Sequence, residues 1–159
     1  MLAWLTESTV GRLLQTFLIS MVPVLELRAG IPYGVSLGLD YHRAALAAIL
    51  GKLFPVPIII LFVRQVFAWL RKKSGRLDAW ISGMENKAEL KGEKVRRYGA
   101  LGLVLLVAIP LPGTGAWTGA LVAVVLGLRM RDALPAIIAG VVIAAAIVLG
   151  LTYGVSTIF

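Results

Sequence analysis

The stretch from Val22 to Gly38, VPVLELRAGIPYGVSLG, is apolar on both sides, is interrupted by Pro23 and Pro32, and carries Glu26 and Arg28 near its middle. Few folds accommodate such a segment. Each buried charge must meet a partner or a polar cavity, and each proline removes a backbone donor and bends or ends a helix. A second stretch, Ile109–Gly119, IPLPGTGAWTG, has the same broken apolar character and no charge. Together they predict the facing halves of one membrane site.

Composition places that site in a bilayer. Of the 159 residues, 59% are hydrophobic and 15% are charged, and the mean hydropathy is +0.90. A soluble domain of this size cannot cover so much apolar surface, so the expected class is an integral membrane protein. The apolar runs are long and lack strand-like alternation, which favours helices over a barrel. The net charge of +8 is concentrated: nine of the sixteen Lys and Arg lie between Arg71 and Arg97. A basic block between two apolar blocks reads as a cytoplasmic segment rather than a nucleic-acid surface.

Cysteine is absent, which excludes a disulfide framework and a thiolate metal site. The one histidine, His42, falls in a predicted external turn. No nucleophile–base pair or metal cluster is apparent, so neither an enzyme, a metal nor a cofactor is expected. The N-terminus, MLAWLTEST, has no Lys or Arg ahead of an apolar run and does not read as a cleaved signal peptide.

Along the chain, Val10–Val22 and Val24–Gly38 are each too short to span, since a crossing needs about 20 helical residues. Two half-length segments around Pro23 predict a re-entrant hairpin; the alternative is one kinked span from Val10 to Gly38. Ala44–Leu70 is a full span with Lys52 and Arg64 inside it and a Pro55-Val56-Pro57 kink. In residues 71–98, Leu77, Trp80, Ile81, Met84 and Ala88 recur at helical spacing among charges, which predicts an amphipathic helix on the membrane surface. Its cluster Arg71, Lys72, Lys73 and Arg76 is placed to meet anionic lipid or to set topology. Gly99–Leu128, broken at Pro110, Pro112, Gly113 and Gly115, is a second candidate hairpin, and Ala133–Val155 is a second full span.

The second half repeats the first. Sliding Gly30 onto Gly119, an offset of 89, brings Pro23 onto Pro112, Leu37-Gly38-Leu39 onto Leu126-Gly127-Leu128, and Gly51 onto Gly140. With residues 71–98 and 129–132 cytoplasmic, the two halves take opposite topology. The expected fold is therefore all-α and integral to the membrane. It is an inverted repeat, each half a re-entrant helical hairpin plus a transmembrane helix, joined by a cytoplasmic amphipathic helix. Residues 1–159 form one membrane domain, with the first repeat at 10–70, the linker at 71–98 and the second repeat at 99–157. Inverted repeats with broken helices meeting near the midplane are a transporter pattern.

Four ionisable groups lie at membrane depth: Glu26, Arg28, Lys52 and Arg64. Glu26 can pair with Lys52 or Arg28, or take a proton. Arg64 is nearer the cytoplasmic end and can snorkel. The second stretch offers backbone. After Pro112, Gly113, Thr114 and Gly115 permit close approach, the next helix begins with free N–H groups, and Thr114, Trp117 and Thr118 add side-chain donors. Arg129 and Arg131 follow at the end of this block. Such a pocket suits an anionic headgroup.

ELRAGIP at Glu26–Pro32 and PLPGTGAWTG at Pro110–Gly119 resemble the signatures of the putative small multidrug export protein family, and the resemblance runs from about Leu13 to Leu151. That family is similar, more remotely, to the DedA superfamily, which implies an inverted-repeat transporter and, from several members, movement of undecaprenyl phosphate. By motif, Glu26 and Arg28 match the charged pair of the first hairpin, and Pro112, Gly113 and Gly115 match the break of the second. DedA proteins usually carry arginines in or just after the second hairpin, whereas Gly99–Leu128 has none. The expected function is translocation of an amphiphilic anion, foremost a polyprenyl-phosphate lipid carrier, with possible proton coupling. The alternatives are multidrug export and a non-transporting membrane assembly factor. The expected setting is the inner membrane of a prokaryote, with lipids and the anionic substrate as partners and a homodimer as the assembly.

Overall fold

A computed structural model describes residues 7–23, 25–111 and 114–154, without the side chains of Glu26, Arg64, Lys91, Glu93, Lys94 and Arg96. Of the groups named above, residues 1–6, Val24, Pro112, Gly113, Val155 and the side chains of Glu26 and Arg64 lie outside the described residues.

Every regular element among the described residues is helical. The first half holds α1 (Thr9–Met21), α2 (Glu26–Ser36), α3 (Tyr41–Leu53) and α4 (Pro55–Lys73). The centre is α5 (Gly75–Lys91) and α6 (Glu93–Tyr98). The second half holds α7 (Ala100–Ala108), α8 (Ala116–Val125) and α9 (Met130–Leu149), which ends in a wider π turn, Gly150–Gly154. Two stretches are long and apolar enough to cross a bilayer, Tyr41–Val63 and Met130–Gly154. In the most apolar part of each, 44% and 39% is buried, so the protein leaves much of both spans to be covered by lipid.

Proline ends α1 without straightening the chain. The Tyr33 hydroxyl donates to Gln15 Oε1 at 2.8 Å, a bond that only a fold-back about the break can make. In one continuous helix those residues would stand about 27 Å apart. The single kinked span is therefore excluded, and α1 and α2 form a hairpin packed on α3. Likewise α7 and α8 pack on each other and on α9.

Phe54 alone separates α3 from α4, and it keeps helical angles. Pro55 sits at the first helical position of α4, where its missing N–H costs least.

Within a bilayer, apolar burial does not drive helices together; close approach does. The sequence supplies it with small residues. Thr16 and Ser20 are fully buried on α1, and their hydroxyls bond back to Arg12 and Thr16 carbonyls at 2.9 and 2.8 Å. Gly51 lies against the Phe17 carbonyl, and Gly140 against Val104 and Val107, so a methyl at either would strike the neighbouring helix.

The two halves use the same local geometry. Leu37, Gly38 and Leu39 donate their N–H groups to the carbonyls of Tyr33, Val35 and Gly34; Leu126, Gly127 and Leu128 donate theirs to Val122, Val124 and Ala123. Gly38 and Gly127 hold positive φ, 86° and 70°, in these helix-ending turns. The offset of 89 thus holds from the second arm onward. It does not hold for the first arms: α1 ends at Met21 and α7 at Ala108, an offset of 87, and the second break, 109–115, is three residues longer than the first, 22–25.

The span starting at Tyr41 and the one ending near Tyr153 run antiparallel, with those two rings 4.3 Å apart at one end. At the other end α5 packs on α4 and α8. Here one expectation is corrected. The apolar stripe of α5 is not left for the membrane surface: Ile81 and Ala88 are buried, Leu77 and Met84 half-buried, and of the five Trp80, at 61% exposure, stays open. Arg71, at the end of α4, clasps Glu85 and lies 3.7 Å from Asp78, tying α5 back along α4.

Candidate functional site at the facing helix breaks

A proline-broken helix leaves carbonyls whose donor four residues on is lost, and they must be met from elsewhere. In the second break much of this is met locally. The Thr114 hydroxyl lies 2.8 Å from the Ile109 carbonyl and 2.9 Å from that of Leu111, and accepts from the Leu111 N–H at 3.2 Å. Gly115 then precedes α8 in extended conformation.

Two carbonyls are met across the molecule. Arg28, in the first turn of α2, donates from Nη2 to the carbonyl of Pro110 in the second break. Trp117, in the first turn of α8, donates from Nε1 to the carbonyl of Met21 at the end of α1, at 3.1 Å. Arg28 and Trp117 are 89 residues apart, the offset at which the second arms correspond, whereas the two acceptors, Met21 and Pro110, are not counterparts at the first arms' offset of 87. A side chain on each second arm thus seals the break of the other half.

Arg28 is exposed, and Pro110 accepts from only one of its five N–H groups. Neither α2 nor α8 has a side-chain cap, so both present first-turn N–H groups beside the breaks. Lys52 is 2% exposed in the last turn of α3, next to Gly51 and so level with Phe17 of α1. It is engaged in the structure, and no buried side-chain nitrogen or oxygen among the described residues lacks a partner. Thr118 is half-buried and also engaged.

The breaks therefore gather Arg28, Thr114, Gly115, Trp117 and the backbone at Glu26. Arg129 and Arg131 are not among them. They lie beyond the far end of α8, about 15 Å away along a ten-residue helix. Arg129 lines a separate cleft of about 390 Å³ with Ile60, Leu61 and Met130. Sequence reasoning missed the two acceptors, Met21 and Pro110. Their only signal was proline, which frees carbonyls without saying which donor will reach them.

These features define a helical membrane protein with two broken hairpins bonded to each other across the chain. Residues 26–147 match the family described as putative small multi-drug export protein, and the chain belongs to that family. The match runs from the start of α2 through most of α9 and agrees with the motifs at Glu26–Pro32 and Pro110–Gly119. No curated protein and no solved structure matches the chain.

Proposed function

We propose that the protein is an inverted-repeat exporter that moves an amphiphilic anion, with the anionic group held at Arg28 between the breaks. The observation that carries this is the Arg28 guanidinium, aimed at the other half's break with donors to spare. Two uncapped helix N-termini beside it add the same sign of potential. A polyprenyl phosphate is a fitting substrate, because it joins a phosphate to a chain that stays in lipid. Glu26 is the group for proton linkage, and Glu26→Gln would then flatten the pH dependence of transport.

The inverted relation rests on helix packing. Under a two-fold rotation, if one element meets the equivalent of a second, its own equivalent meets the second. The second arms follow this rule: α8 of the second half lies on α4 of the first, and α2 of the first lies on α9 of the second. For sidedness, α5 and the turn after α8 share a cleft lined by Arg71, Glu85, Glu89 and Gly127. The basic centre and Arg129–Asp132 thus fall at one end, which we read as the cytoplasmic face of a prokaryotic inner membrane.

A second reading, export of small amphiphilic cations, is favoured by the family's description. Native mass spectrometry of the purified protein with undecaprenyl phosphate and with a cationic dye separates the two. Lipid-phosphate binding lost in Arg28→Ala supports the anion site. Dye binding without lipid-phosphate binding overturns it. Equal lipid-phosphate binding in both proteins also overturns it, since that is adhesion to the basic surface.

A further inference from the structure

The stripe that docks α5 on α4 and α8 is only one side of that helix. Arg76, Trp80, Gly83, Lys87 and Leu90 follow one another at spacings of four, three, four and three, which puts them on one other face. All five are exposed, Trp80 at 61% and Leu90 at 79%, and Gly83 has open space above its α-carbon. This face holds no carboxylate. Asp78 and Glu85 lie on the opposite side of α5, where they meet Arg71 of α4, and Glu89 lines a cleft with Arg71 and Glu85. The Arg76 and Lys87 side chains, by contrast, make no hydrogen bond or ion pair with a described residue.

The end of α4 repeats the arrangement. Trp69, Lys72 and Lys73 share a face at i, i+3 and i+4. Trp69 is 56% exposed, and the Lys73 ammonium sits 4.3 Å from the centre of its ring. In water, a helix face gains from carboxylates set among its cations and loses by presenting Trp and Leu. At a headgroup layer each residue is matched. Indole and leucine side chains reach the acyl boundary, while cations on long stems meet phosphate.

We propose that this second face of α5, together with the end of α4, lies on an anionic phospholipid leaflet. It is the lipid-binding surface of the linker, in place of the stripe that the fold has buried. Arg71 takes no part, because Asp78 and Glu85 hold it. That the leaflet is the cytoplasmic one rests on the sidedness read above; the contact with anionic lipid does not. Each cation at such a surface strengthens binding by about fivefold, an effect that salt screens.

The chain has no cysteine, and Gly83 has room for one. Gly83→Cys carrying a nitroxide would be measured in nanodiscs of phosphatidylcholine alone and of phosphatidylcholine with phosphatidylglycerol. Neither a substrate nor a defined orientation is needed. The readout is the ratio of collisions with oxygen, which concentrates in lipid, to collisions with a water-soluble nickel chelate. The expected result is a several-fold higher ratio when phosphatidylglycerol is present. The rise should vanish at high salt and when Lys72→Gln, Lys73→Gln, Arg76→Gln and Lys87→Gln are combined. A ratio that favours water in both lipids overturns the proposal and leaves a solvated face. A lipid-like ratio that is equal in both also overturns it, since apolar contact then acts without the headgroups. A rise that survives loss of the four cations assigns the effect elsewhere and overturns it too. If the combined variant fails to reconstitute, the salt dependence of the Gly83→Cys protein decides.

Discussion

Arg28 and Trp117 occupy the same point of two halves 89 residues apart, and each donates a hydrogen bond to a carbonyl of the other half's broken segment. The chain thereby meets two carbonyls that proline and a short helix leave open, and it does so by crossing the halves. The same pair of bonds ties the two breaks together.

The second break depends on one hydroxyl. Thr114 bridges Ile109 and Leu111 through bonds of 2.8 to 3.2 Å. Thr114→Val keeps the shape and strands those groups, at a cost of about 1–3 kcal/mol. Thr114→Ser keeps the hydroxyl and should cost well under half as much. Thermal unfolding of the purified variants in detergent checks the order, and equal melting temperatures for Ser and Val would count against it.

Gly51 and Gly140 should tolerate no side chain. An added methyl at Gly140 would sit 2.7 Å from Val107 Cβ and 2.9 Å from the Val104 carbonyl, and at Gly51 the obstacle is the Phe17 backbone. Gly51→Ala and Gly140→Ala should each destabilise by about 1–3 kcal/mol. Gly83, in α5, faces open space, so Gly83→Ala should instead stabilise by up to about 1 kcal/mol. Opposite shifts in melting temperature are the expected signature.

Lys52 is buried together with its long stem. Lys52→Met keeps most of the volume and removes the ammonium, while Lys52→Ala also leaves a cavity, with a cost of about 2–5 kcal/mol. The melting order should be wild type, then Met, then Ala. If Met and Ala melt together, the ammonium rather than the packing dominates at this position.

Arg71 meets both Asp78 and Glu85 at the polar end, but it is 41% exposed, and Asp78 is 50% exposed. Solvent and salt screen such pairs, so Arg71→Ala should change stability by less than about 1 kcal/mol. The effect belongs in local order: amide hydrogen exchange in α5 should rise at constant global melting. A large fall in melting temperature would show that this clasp carries more than an exposed pair can.

Much of the architecture is legible in the order of residues because its causes are local. Pro23 and the Pro110-to-Gly115 run mark the breaks, since a missing N–H stops a helix wherever the chain goes next. Leu37-Gly38-Leu39 and Leu126-Gly127-Leu128 mark the two turns, because positive φ favours glycine at that point. The positions of the two spans follow from long apolar runs, although the first, expected over Ala44–Leu70 with Lys52 and two prolines inside it, lies over Tyr41–Val63. Membership of the export family is visible in the motifs that surround the breaks.

What only the tertiary structure decided involves residues far apart in the chain. The extra length of the second break is invisible to a gapless repeat, because Pro23 and Pro112 coincide whether or not the first arms do. The stripe of Ile81 and Ala88 fits a lipid surface and a protein groove equally well, and the fold chose the groove between α4 and α8. Above all, proline shows that a carbonyl is freed and not which donor arrives. That Arg28 reaches Pro110 and Trp117 reaches Met21 follows from how the two halves dock, and no local pattern encodes a contact made 82 or 96 residues away.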